Sequence, residues 1–487
     1  MGRPGGRDRR GGSRRRSCRV ALVAGTALLV LSCREDVDVL GPPPPLPLIG
    51  PPPQFVTSAV VPNEANVLSA VILAHVRYAD SVAVRYGLAG ATADRVTSTV
   101  SPAGDSVSVP VLGLLPDTVY TLTPIAYGNR RITTGEALTL RTGALPADLP
   151  SYATAGPDPS PGFVVFASGH YGIVIDNTGR VVWYRRFEYG AGLSFAAQPT
   201  GHYVARPATP VPTDPHPWVE IDPLGNVTRT LPCAYGLEPR LHDLILESDG
   251  SYWLMCDETR TMDLAAMGGV ADARVTATAI QHVGADGTLL FSWTPFDHFD
   301  ITDLNPASRA GGTVNWTHGN ALDLDTDGNI VVSFRNLNEV TKIDTETGEV
   351  LWRLGGVRSQ FTFSDGPTPA FARQHGVRLT SPRRVLLLDN WGDSLDSRAE
   401  LYDFEPEQGV ARLLASYGSA PAVSAQLGGS VQDLPGGRTL VSFGSAGRVE
   451  EYDGGGQIVW RIEGAPGYIF RAQRIRSLYA PGVGLPR

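Results

Sequence analysis

Three histidines of this 487-residue chain stand in comparable places. His242 lies seven residues before Asp249, His318 nine before Asp327, and His375 seven before Pro382. Each opens an apolar run that meets a polar turn and a second apolar run. Asn320 follows His318 closely, and Arg335 ends the run after its turn. Imidazole is a nucleophile and a proton carrier near neutral pH. A guanidinium offers fixed donors to a tetrahedral oxyanion. A metal would need three imidazoles within about 2.1 Å of one point, with Asp243 and Asp389 as further ligands, and Arg335 would repel it. Transfer of an anionic group therefore fits the set better, and no metal or cofactor is expected. The other six histidines (His75, His170, His202, His216, His282 and His298) have no positional partner and read as satisfied polar residues. His216 and His298 lie in loops that could reach a channel mouth.

The positioning elements are strands. From Thr317 to Arg335 the chain reads as strand, Asp327-Gly328 turn, strand, a hairpin that returns Arg335 toward His318 and Asn320. One element recurs six times: an Asp, a turn ending in Gly, and an apolar strand often carrying Trp. It begins at Asp176, Asp222, Asp286, Asp344, Asp403 and Asp453. A hairpin precedes it in five copies, with turns at Thr200-Gly201, Asp249-Gly250, Asp327-Gly328, Ser381 to Arg383 and Gly436-Gly437. Four strands per unit describe a propeller blade. The fold class expected is all-β: a six-bladed β-propeller over residues 150–487. Its innermost strands face one channel, so the three histidines should converge at one end. The returning strands deliver Arg335, Arg206 and Asp389-Asn390 to that end, with Arg206 a further anion-binding candidate.

Residues 54–144 form short alternating segments. The run Leu114 to Leu122 resembles the strand entry of a fibronectin type III sandwich, with Tyr120 at the corner. Residues 34–53, holding Pro42 to Pro45 and Pro51 to Pro53, read as a semi-rigid linker. Residues 1–33 read as a secretion signal, with an arginine-rich start and an apolar run from Val20 to Leu31. Val30-Leu31-Ser32-Cys33 resembles a lipobox with Cys33 as the acylated residue. The basic start leaves a twin-arginine route open. The expected location is periplasmic or cell-surface, with the membrane reached only through a lipid anchor.

Composition excludes several classes. Residues 1–32 hold eight arginines and one aspartate, so the remainder carries −15 where the whole chain carries −8. An acidic exported protein is not built for nucleic acid. Lys342 is the only lysine, and no phosphate-binding Gly-Lys loop exists. Past the signal, only Cys233 and Cys256 remain, which an oxidising compartment would pair as a disulfide.

A family resemblance rests on particular motifs. Thr317 to Asn320 (THGN) is followed by Ser333 to Asn336 (SFRN) and Lys342 to Asp344 (KID). Gly348 to Gly356 (GEVLWRLGG) and Phe371 to His375 (FARQH) come next, then Arg448 to Tyr452 (RVEEY) and Ile458 to Arg461 (IVWR). Over about 150–475 this resembles the bacterial arylsulfate sulfotransferases. The resemblance implies transfer of a sulfuryl group from an aryl sulfate donor to a phenolic acceptor without a nucleotide donor. It implies His375 as the nucleophile forming a sulfohistidine. His318, Asn320 and Arg335 would bind the sulfate oxygens, and His242 would assist proton movement. Trp316, Trp391 and Tyr417 are candidates for an aromatic wall. Gly376 departs from the polar residue expected after the nucleophile. A homodimer is allowed. The alternatives are a surface lipoprotein whose propeller binds an anion without turnover, or an aryl sulfate hydrolase.

Overall fold

A computed structural model describes residues 50–210, 216–364, 370–391, 396–464 and 467–484. The expected signal, Cys33 and the linker up to residue 49 lie outside the described residues.

Residues that alternate between buried and exposed build the first two sheets. Gln54–Pro62, Ser69–Arg77 and Ser106–Leu112 form one. Ser81–Leu88, Val119–Gly128, Arg131–Thr134 and Leu138–Arg141 form the other, edged by Arg95–Val96. Their inward residues, among them Ile72, Val84, Val109, Tyr120 and Leu122, share one core. The Tyr120 hydroxyl accepts from the Leu115 N–H at 2.9 Å, pinning the entry loop to its strand. This region docks on the rest of the chain through two tyrosines. Val67 N–H donates to the Tyr184 hydroxyl, and Leu112 N–H to that of Tyr479.

Among the described residues six sheets, mainly antiparallel, succeed it. The second runs Phe195–Ala197, Tyr203–Ala205, Trp218–Ile221, Val227–Leu231. The third is built on Glu238–Leu246, Tyr252–Met262, Ala273–Val283 and Leu289–Trp293. The fourth is Gly319–Leu324, Ile330–Phe334, Glu339–Ile343, Val350–Gly355. The fifth is built on His375–Ser381, Arg384–Asp389, Arg398–Glu405 and Val410–Gly418. The sixth runs Ser430–Leu434, Arg438–Ser442, Val449–Tyr452, Ile458–Glu463 and takes Ala153–Ala155 at its outer edge. The first sheet has only three local strands, Phe163–Ser168, Tyr171–Asp176 and Val181–Arg186, and gains its fourth from the C-terminal Ala472–Ile475. That borrowed strand explains why six turn elements come with only five preceding hairpins.

First strands of neighbouring sheets are joined by side chains. Gln198 accepts from Leu246 N–H, Asp243 from Leu322 N–H, and Asp323 from Leu379 N–H. Gln432 accepts from Arg474 N–H, and Gln473 from Ala197 N–H. Backbone groups lacking a ladder partner on this side are thereby satisfied. At the outer strands of the first, third and sixth sheets the recurring Trp locks the sheet to the next sheet's turn. Trp183 donates to Pro223 O, Trp293 to Gly348 O, and Trp460 to Asn177 O.

Candidate active site

The inner strands of the third, fourth and fifth sheets are irregular where their histidines sit. Register shifts fall between Pro239 and Leu244, Gly319 and Ala321, and His375 and Arg378. A bulge re-aims side chains beside a ladder. His318 takes a positive φ of 52°, a conformation unfavourable for a side chain with Cβ. Gly319 is required behind it, since a Cβ there would meet Thr278 Cγ2 at 2.6 Å. Gly376, where a polar residue was expected, has φ of 61° and lies against the backbone of Ser430. Backbone geometry, not chemistry, sets that position.

The three imidazoles meet. Ring centroids are 5.2 Å apart for His242 and His318, and 6.4 Å for His242 and His375. Phe470 packs against both His242 and His375, at 5.6 and 6.2 Å. His375 is held at Nδ1, which lies 2.7 Å from Asn390 Oδ1, and the Arg373 backbone also bonds the ring. The Asn390 Nδ2 donates to Ala425 O and Gly428 O, so its Oδ1 can only accept. His375 therefore carries its proton on Nδ1, and the Nε2 lone pair is free. His318 is the reverse: its Nδ1 accepts from Asn315 Nδ2 at 2.7 Å, which leaves an Nε2–H donor. The His242 Nδ1 is buried without a partner among the described residues.

Asn320 is buried; its Nδ2 donates to Gln374 O at 2.7 Å, clamping the residue before His375, while its Oδ1 has no partner among the described residues. Gln374 in turn donates to Ser333 Oγ and Glu339 O. Arg335 donates to Asn336 Oδ1, and its buried Nε is unbonded among the described residues. Arg240, two residues before His242, donates to Gly319 O and pairs with Asp257.

Burial pushes all three imidazoles toward neutrality. His318 is driven down to about 2 by burial, with the charges of Arg240 and Arg335 adding. His375 falls to about 4 from burial, opposed by its bond to Asn390. His242 lies well below its ordinary value, through burial and then Arg240. Burial and Arg373 lower Arg335 to about 10, so it stays cationic at neutral pH. The cup is thus three neutral imidazoles beside a cation.

Other expected positions differ. Arg206 is paired with Glu238 rather than turned free toward the histidines. Trp316 packs on Phe296 in the core, and Tyr417 packs on Tyr452. Only Trp391 is exposed. The aromatic neighbours of the imidazoles are instead Phe470 and, beyond it, Tyr468. These were missed because they lie just before the C-terminal strand Ala472–Ile475, which has no hairpin of its own to align. Cys233 and Cys256 form the expected disulfide. His216 hydrogen-bonds Thr209, and His298 stacks on Trp293.

Residues 239–465 match the model of a family described as arylsulfotransferase (ASST). The match spans 227 of the 487 residues and supports aryl sulfotransferase activity in general. No curated protein matches the sequence. Similar solved structures include a protein of unknown function from Bacteroides caccae, at 15% identity, covering 65% of this chain and 100% of that one, with a TM-score of 0.43. Another is the Myceliophteria thermophila Cps50 (Swd1) β-propeller domain, at 13% identity, covering 67% and 89%, with a TM-score of 0.34. The C-terminal WD40 domain of Sif2 is similar at 11% identity, covering 82% and 84%, with a TM-score of 0.33.

Proposed function

We propose that this chain is an exported, nucleotide-independent aryl sulfotransferase that works by a ping-pong mechanism through a sulfohistidine at His375. The observation that carries this reading is the fixed tautomer of His375, whose ring lies 6.4 Å from that of His242 and feels the charge of Arg335. The Nε2 attacks sulfur, the bond from sulfur to the aryl oxygen breaks, and the electron pair leaves on a phenolate. Arg335 and the His318 Nε2–H stabilise the equatorial oxygens and the leaving oxygen. Asn320 holds the nucleophile's segment in line. In a loose transition state such positioning and charge stabilisation supply most of the rate. A second phenol reverses the steps. It gives its proton to the surrounding bases or solvent as its oxygen takes the sulfuryl group from nitrogen.

In this reading the six sheets are the blades of a six-bladed propeller, and residues 54–144 form a fibronectin type III-like sandwich that serves as a spacer. Residues 1–33 direct export, with Cys33 acylated. Incubation with 4-nitrophenyl sulfate, with and without phenol, tests the reaction. Sustained nitrophenol release that needs phenol supports transfer. Equal release without phenol would make the protein a hydrolase, and none would make the propeller a binding module. Full activity of His375→Ala would remove the sulfohistidine. Acylation is checked by radiolabelled palmitate incorporation that Cys33→Ser abolishes.

A further inference from the structure

A second guanidinium stands beside Arg335. Arg373 Nη1 donates to Asn336 Oδ1 at 3.1 Å, and Arg335 Nη1 donates to the same oxygen at 3.0 Å. The two nitrogens are therefore no more than about 6 Å apart. The shared acceptor is a neutral carboxamide whose orientation is fixed, because Asn336 Nδ2 donates to Asn315 O at 2.7 Å. It holds two cations side by side without neutralising either. Neither guanidinium has a carboxylate partner among the described residues, whereas Arg206, Arg240, Arg353, Arg378 and Arg471 all do.

Arg373 is also rigid. Its backbone N–H donates to Asn338 Oδ1 at 2.9 Å, its φ is 57°, and its guanidinium lies 4.9 Å over the Trp391 ring. Trp391 is 40% exposed, so the pair runs from the buried cup to the surface. Adjacent like charges repel. Such an arrangement is favourable once anions sit between them, and preorganised guanidiniums bind carboxylate or sulfate with little ordering cost.

We propose that Arg373 and Trp391 form a second anion subsite, so that the aromatic substrate of this protein carries a further anionic group, carboxylate or sulfate, on its ring. This rests on reading the cup as an aryl sulfate site: Arg335 takes the sulfuryl end, and Arg373 reads the ring substituent. Trp391 lends the aryl ring and the guanidinium a flat face.

Unreactive sulfonates test it by binding alone. Calorimetry compares benzenesulfonate with 3-sulfobenzoate and 4-sulfobenzoate on the full chain and on Arg373→Gln. A charge-assisted pair predicts that one sulfobenzoate binds at least about tenfold tighter than benzenesulfonate. In Arg373→Gln that ratio should fall to within about twofold, and in Trp391→Leu, at an exposed position, it should fall part of the way. A ratio near one in the unaltered protein overturns the proposal, as does a ratio unchanged in Arg373→Gln. If neither probe binds, the anion cup itself is lost. Transfer from 4-nitrophenyl sulfate with no preference for a second charge would overturn this subsite and leave the proposed reaction standing.

Discussion

The Nδ1 of His375 lies 2.7 Å from Asn390 Oδ1, and two backbone carbonyls prevent the carboxamide from turning round. One buried asparagine thus decides which nitrogen of the proposed nucleophile is free. Asn390→Ala should slow loading of the sulfuryl group by roughly 10²- to 10⁴-fold, the range seen where an imidazole loses the group that fixes its tautomer. KM should change little. A pre-steady-state nitrophenol burst measures this, and an unaltered burst rate would detach Asn390 from catalysis.

Arg335 has no carboxylate partner among the described residues and acts on both His318 and His375. Arg335→Gln should lower kcat by about 10²- to 10³-fold, as for loss of one oxyanion donor. Arg335→Lys should recover only part, because an ammonium supplies charge without the planar fork. Equal recovery by lysine would mean that charge alone matters.

The pH behaviour comes from neutral imidazoles. With His375 near 4 and His318 near 2, the donor half-reaction should be flat from about pH 8 down to about pH 5 and fall only below that. An ordinary histidine would titrate near 6.5. Stability has a matching sign. The folded values lie below the unfolded one, so the unfolded chain binds protons first. Stability should therefore decline as pH falls below about 6.5, and go on declining toward the folded values. A burst-rate profile with its midpoint near 6.5 would contradict the burial of these rings.

The repeat made the inner strands legible. Comparable spacing of His242, His318 and His375 from their turns, seven, nine and seven residues, was enough to bring three sheets' side chains to one place, because each sheet repeats the same path. Arg335 was legible from hairpin geometry in the same way. What spacing could not convey was pairing and backbone shape. Arg206 occupies its expected place after a strand, but Glu238, distant in sequence, holds it. Trp316 and Tyr417 look like wall residues in sequence, yet neighbouring sheets bury them. Phe470 and Arg471 come from the far end of the chain, where the missing strand of the first sheet is supplied. Gly376 reads as a departure until its positive φ is known.

The Cys233–Cys256 disulfide ties the approach of the third sheet to its second strand, next to Asp257, which holds Arg240. Closing a loop of this length contributes about 3 kcal/mol in the chain-entropy view. Cys233→Ser with Cys256→Ser should lower the urea midpoint accordingly and reduce transfer through a looser Arg240. Retained activity at unchanged stability would show the bond to be incidental.

Asp243 binds three elements at once, next in sequence to His242. Its Oδ2 lies 3.1 Å from Arg378 Nη2, 3.1 Å from Arg471 Nη2 and 3.1 Å from Leu322 N. All three residues line a cavity of about 60 Å³ with Asp323. Arg471, lowered to about 10 by burial against the pull of Asp243, also donates to His242 O. The C-terminal segment is thus tied through one carboxylate to the strands that carry His242 and His375. Asp243→Asn would leave two buried guanidiniums without their shared anion, at a cost of about 3–5 kcal/mol. Replacing the set together, as Asp243→Leu with Arg378→Met and Arg471→Met, should cost less, because apolar groups of similar volume need no partner. Activity should not return with stability in that triple variant, since the bond to the His242 carbonyl is gone. Denaturant melts paired with burst rates separate the two effects. A triple variant that regains both would make this cluster a fold element with no hold on the histidines.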